Sequence, residues 1–171
     1  MQEALKIHEA NLEYYIKGNF KRDALLSFLN ISSVYINDHQ YEQGLKALDK
    51  FFLYYKKYKL EEPSLLGMAY VNRLLAKEGL LPHNKQTVND YFKAIELLKK
   101  KKNIRLTRLV YIDLAAHYES IGQYSKMIEY ANKAIEITQQ TNLNERQDGV
   151  YNMLYTHYKK VKDLENAFQY L

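Results

Sequence analysis

The stretch Gly122–Ile137, GQYSKMIEYANKAIEI, opens on glycine, carries an aromatic residue two places on, and then sets small and apolar residues three and four apart. Tyr124, Met127, Ile128, Ala131, Ala134 and Ile135 therefore share one face of a helix. The residues just before it, RLVYIDLAAHYESI (108–121), do the same with Tyr111, Leu114, Ala115 and Tyr118. Gly122 stands where the first helix must stop, and glycine adopts the left-handed backbone of a helix C-terminus at least cost. The segment predicts two helices joined by a tight turn.

The same hairpin recurs on both sides. Upstream, Phe28, Ile31, Ser32 and Tyr35 repeat the first helix, His39 takes the Gly122 place, and Tyr41, Gly44, Leu48 and Phe51 follow. Downstream, Tyr151, Leu154, Tyr155 and Tyr158 match the first helix, Lys162 the glycine, and Leu164, Ala167 and Leu171 the second helix. A looser copy has Met68, Val71, Asn72 and Leu75, ends its first helix at Gly79, lengthens the turn with LLPHN (80–84), and continues through Thr87, Tyr91, Ala94 and Ile95. Counted from Phe28, Met68, Tyr111 and Tyr151, the periods are 40, 43 and 40 residues. One such hairpin cannot bury its apolar face alone, but a stack of them can.

The expected fold is all-α, with about nine helices. A leading helix spans 2–18, and the pairs are 22–37 with 41–58, 64–79 with 84–101, 104–120 with 124–140, and 145–161 with 164 onward. These form one repeat domain over 1–171, with units 22–58, 64–101, 104–140 and 145–171. Helix 2–18 reads as the second half of a missing unit, and Leu171 falls midway along an unfinished apolar face. Terminal repeats need polar caps. The chain is accordingly expected to be a segment of a longer protein, with its ends covered by a crystal neighbour or by a homodimer partner.

The run Tyr118, Gly122, Tyr124, Tyr130 and Ala134, with Leu114 and Ala115 before it, resembles the tetratricopeptide repeat (TPR). The family's small residue in the second helix is matched by Ala167 but replaced by Met127 and Gly44. Its closing proline is missing, and the period exceeds the usual 34 or so. The resemblance implies a right-handed superhelical α-solenoid of antiparallel pairs whose first helices line a concave face. In that register the groove carries Asn30, Ser33 and Asn37, then Tyr70, Arg73 and Lys77, then Asp113 and Glu119, and finally Asn152, Thr156 and Lys160. Amides for a peptide backbone and charges for its side chains suit an extended protein or peptide ligand. The lysine and asparagine clamp that holds C-terminal carboxylates in family cochaperones is replaced here by Leu29, Ser33, Tyr70, Leu109 and Asp113. The style of the repeats is similar to that of bacterial signal-transduction and transcription regulators, in which they precede a histidine kinase or helix-turn-helix domain. The implied function is a non-catalytic peptide-binding sensor or scaffold region. The alternatives are a stand-alone peptide-pheromone-type receptor and a nucleic-acid-associated scaffold.

Composition narrows the field further. The 171 residues include only two prolines and six glycines, which favours long helices. There is no cysteine, which excludes disulfides and thiolate-bound metals. That absence suits a reducing cytoplasm or a bacterial periplasm, with the cytoplasm favoured. A net charge of +5 is too mild to argue for nucleic acid. The basic runs at Lys56, Lys57 and Lys59, and at Lys99–Lys102 with Arg105 and Arg108, are expected to be solvated charges at helix ends. No direct nucleic-acid binding is expected. No run of about 18 apolar residues predicts a membrane span. His8, His39, His83, His117 and His157 have no metal-site spacing, and equivalent positions in stacked units lie on the order of 10 Å apart. No Gly-rich phosphate loop or nucleophile–base pairing stands out, so neither cofactor, metal nor enzymatic activity is expected.

Overall fold

The structure is a computed structural model that describes residues 2–82 and 87–171. The described residues form nine helices and no strand. They are α1 (Gln2–Lys17), α2 (Lys21–Asn37), α3 (Tyr41–Lys57), α4 (Pro63–Leu80), α5 (Val88–Lys100), α6 (Ile104–Ser120), α7 (Tyr124–Thr141), α8 (Gln147–Lys160) and α9 (Leu164–Phe168). The chain divides into two compact units, Met1–Lys102 and Asn103–Leu171, parted at the short link after α5. In each, consecutive helices pair in an α-solenoid-like arrangement.

One turn closes the α2–α3, α6–α7 and α8–α9 hairpins. His39, Gly122 and Lys162 take φ of 60°, 72° and 62°. In each case the next residue's N–H reaches back five residues, Gln40 to Tyr35 O, Gln123 to Tyr118 O and Asp163 to Tyr158 O, at 2.8–2.9 Å. This is a Schellman closure, which satisfies carbonyls that the helix end would otherwise leave bare. Asn19 and Lys59 make the same turn between α1 and α2 and between α3 and α4. The equivalence of His39, Gly122 and Lys162 thus has a conformational basis.

In the first unit α1 packs on α2, α2 on α3 and α4, and α4 on α3 and α5. Leu25, Phe28, Leu29, Leu48, Phe51, Leu65 and Ala69 form its central cluster. A polar pin joins successive pairs: the Asn72 amide donates to the hydroxyls of Ser32 and Ser33, each at 2.9 Å. In the second unit Val110, Leu114, Ala115, Met127, Ala131, Ala134, Val150 and Leu154 are buried along α6, α7 and α8.

Three expectations are corrected. Gly79 does not end its helix, because α4 runs on to Leu80. The glycine instead lets the Tyr41 ring lie where a Cβ would be. The expected start of the following helix is not among these corrections: α5 is described from Val88, and residues 84–86, like His83, lie outside the described residues. The last helix stops at Phe168 instead of running to the end of the chain. Finally, Arg108 is not a solvated charge like Lys99–Lys102, because only 1% of it is exposed. It lies three residues before Tyr111, as the buried Leu25 and Leu65 lie before Phe28 and Met68, and so points into the core.

Candidate functional site

Pro63, whose fixed φ suits a first helical position, starts α4. Tyr70, Arg73 and Lys77 then fall at spacings of three and four and share one face. The Arg73 guanidinium lies between two rings, 4.6 Å from the Phe52 centroid and 4.6 Å from that of Tyr70. It forks onto Asp90 of α5, Nη2 donating to Oδ1 at 2.6 Å and Nε to Oδ2 at 3.2 Å. Lys77 Nζ donates to the same Oδ2 at 2.8 Å. Lys93 hangs over the outer side of this group, its Nζ 5.6 Å from the Tyr70 centroid. A planar, weakly hydrated cation is the group best suited to stack on aromatic faces and grip a carboxylate at once.

Asp90 is 4% exposed. Burial works against its charge, but the hydrogen bonds and charges of Arg73 and Lys77 outweigh burial and hold its carboxyl below the usual range. Arg73 and Lys77 thus share one carboxylate, Lys93 stands over the Tyr70 ring beside them, and these three cations outnumber Asp90. Asp90 and Phe52 were not anticipated as part of it. The available signal was an acid on the apolar face of α5, between Thr87 and Ala94.

The other expected groove residues lie apart from this cluster. On α2, Asn30 and Asn37 are exposed and Ser33 is held by Asn72. In the second unit, Asp113 receives Arg146 Nη1 at 2.6 Å. Burial pushes its carboxyl above the usual range despite the opposing pull of Arg146. Glu119 is half-buried, and Asn152, Thr156 and Lys160 are exposed on α8, with Lys160 Nζ 5.9 Å from the Tyr124 ring centre. The eleven residues thus fall into two sets, one on each unit.

No family model matches the chain, and no curated protein matches it. Among solved structures, the crystal structure of BtubC (BKLC) from P. vanneervenii is similar, with a TM-score of 0.78 over 99% of this chain and 70% of that one. At 12% identity the likeness is one of fold.

Two further features bear on chemistry. Among the described residues no three His, Asp or Glu side chains gather where they could hold a metal ion. His117 and His157, equivalent in the repeat, sit separately: His117 is buried in α6, and His157 packs 4.8 Å from the Tyr124 ring. No helix among the described residues is long and apolar enough to cross a membrane.

Proposed function

We propose that the chain is a non-catalytic TPR-like module that binds an extended peptide or protein segment, and that it serves as the sensor or scaffold region of a larger bacterial signal-transduction or transcription-regulating protein. The observation that carries this reading is the α4 face, where Tyr70, Arg73 and Lys77 project together, Arg73 and Lys77 share the one carboxylate of Asp90, and Lys93 adds a further cation over Tyr70. Asp90 supports an acidic ligand: it is a carboxylate gripped by a fork, with an aromatic plate on either side of the guanidinium. A ligand rich in Asp and Glu would share Lys77 and Lys93 with it, backbone amides of the ligand pairing with Asn30 and Asn37.

The test is binding of a fluorescent acidic peptide library to the full chain and to the Arg73→Glu/Lys77→Glu variant. Binding should weaken at least tenfold in the variant and fall with added salt, since exposed charges are screened. Unchanged peptide binding by that variant would remove α4 from the binding face.

A further inference from the structure

The repeat register shows one internal slot filled in three ways. In the third repeat Tyr130 of α7 stacks between two rings of α6, 5.5 Å from Tyr118 at 13° and 6.0 Å from Tyr111 at 24°. In the fourth repeat Tyr170 fills the same position, stacked on Tyr158 at 5.8 Å and 3° and meeting Tyr151 edge-on at 6.0 Å and 69°. In the second repeat the equivalent residue is Asp90, and the slot holds the ion pairs already described. In the first repeat the equivalents of Tyr111 and Tyr118 are still aromatic, Phe28 and Tyr35, but the middle position is Ala47. There the structure has a half-open pocket of about 240 Å³, lined by Phe28, Tyr35 and Ala47 with Ile31 and Leu12. The pocket lies where a ring is missing.

The charges around it are altered in a matching way. In the third repeat Lys133 lies 4.5 Å from the Tyr130 centroid and pairs with Glu129 at 2.5 Å. The same two positions in the first repeat are Lys50 and Lys46, both on the pocket rim. Lys50 stands ready to cover a ring, while Lys46 replaces the acid that would neutralise it. Among the described residues neither is in an ion pair, and the one acid on the rim is Glu9 of α1. The third repeat supplies its own ring and acid from adjacent residues, Glu129 and Tyr130; the first supplies neither.

We infer that the pocket between α1, α2 and α3 receives a tyrosine or phenylalanine side chain, next to an acidic residue, from a partner's peptide segment. A volume below the roughly 300 Å³ at which whole-ligand sites begin fits one side chain better than a complete small molecule. Aromatic insertion with a cation over the ring is an ordinary anchor of peptide recognition. The inference deepens the peptide-binding reading, but it uses residues separate from Arg73 and Lys77.

The test is methyl NMR of the full chain titrated with acetyl-Gly-Glu-Tyr-Gly-amide, with the Glu-Leu analogue and p-cresol as comparison ligands. Saturable ring-current shifts at Ala47 and Ile31 are expected, with affinity at least fivefold weaker for the leucine peptide. Ala47→Tyr fills the slot from within and should abolish them. Lys46→Glu/Lys50→Glu, on the exposed rim, should weaken the peptide at least fivefold and decides the matter if Ala47→Tyr does not fold. Absence of saturable shifts, or shifts that persist in a folded Ala47→Tyr protein or are undiminished in Lys46→Glu/Lys50→Glu, would overturn the assignment. Binding of p-cresol as tight as that of the peptide would overturn the partner-segment occupant. Pocket shifts should survive Arg73→Glu/Lys77→Glu, so failure here leaves the α4 reading standing, and the reverse also holds.

Discussion

Arg108 Nε donates to Thr138 Oγ1 at 2.6 Å inside the second unit, across a pair of positions that the second repeat fills with Leu65 and Leu98. The guanidinium keeps a buried Nη1 with no hydrogen-bond partner. Burial and, to a smaller extent, the like charge of Arg146 pull its pKa down, with the charge of Glu145 acting in the opposite sense. Replacing buried charged groups with packed apolar ones is often stabilising by about 1–4 kcal/mol. The double variant Arg108→Leu/Thr138→Leu should therefore raise the urea midpoint. Thr138→Val alone should lower the unfolding free energy by about 1–3 kcal/mol, because Nε then loses its acceptor.

The hairpin turns predict a second set of stabilities. Left-handed backbone costs an L-residue roughly 1–2 kcal/mol, from which glycine is exempt. Lys162→Gly should stabilise by up to about 1 kcal/mol, and Gly122→Ala should destabilise by about 1 kcal/mol despite its open surroundings. His39→Gly should gain less, because it also discards the 2.7 Å bond between His39 Nδ1 and the Tyr41 hydroxyl. Thermal unfolding of the three variants ranks them.

Acid should act on the two units in opposite directions. The Asp90 carboxyl is held below its unfolded value, so the stability it confers is present above the unfolded carboxylate range and disappears as pH falls through the folded value. The Asp113 carboxyl is raised, so it gives stability as pH falls below its folded value and withdraws it as pH rises. Asp90→Asn should cost about 2 kcal/mol at pH 7, less than the roughly 3–5 of a fully buried pair because Lys77 remains partly in water. It should also flatten the acid limb of unfolding for the first unit. Asp113→Asn should cost little at pH 7 and flatten the second. Residue-resolved hydrogen exchange from pH 3 to 7 separates the two.

Asn72 predicts a local effect. Asn72→Ala leaves the half-buried hydroxyl of Ser33 without its donor, at a cost of about 1–2 kcal/mol. Faster exchange should be confined to α2 and α4 and should not reach α7.

How much of this is written in the one-dimensional pattern depends on what each feature rests on. Periodic apolar residues gave the helices and their pairing, because burial is set by spacing alone. The turn equivalence of His39, Gly122 and Lys162 came from register. Gly79 misled because glycine ends helices and also makes room, and only the Tyr41 ring tells which applies. Arg108 misled because a charge near a helix start reads as solvated until its place in the repeat is compared with Leu25 and Leu65. At the candidate site, the sharing of a face by Tyr70, Arg73 and Lys77 follows from helical spacing. The grip of Asp90 depends on how α5 lies on α4, which no spacing within one helix contains. The empty slot at Ala47 was equally hidden, since an alanine on a buried face looks like good packing until the rings of the later repeats show what is gone.

The left-handed turns carry one more consequence. Lys59, Lys102, Arg146 and Lys162 all occupy them, exposed and outside the helical ladder, and each presents the side chain at which trypsin cuts. Brief digestion of the native chain at Lys59, Lys102 and Arg146 should part it between hairpins, and a cut at Lys162 should open the last one. A single nick after Lys102 would yield two fragments, 1–102 and 103–171, each retaining an interior of its own.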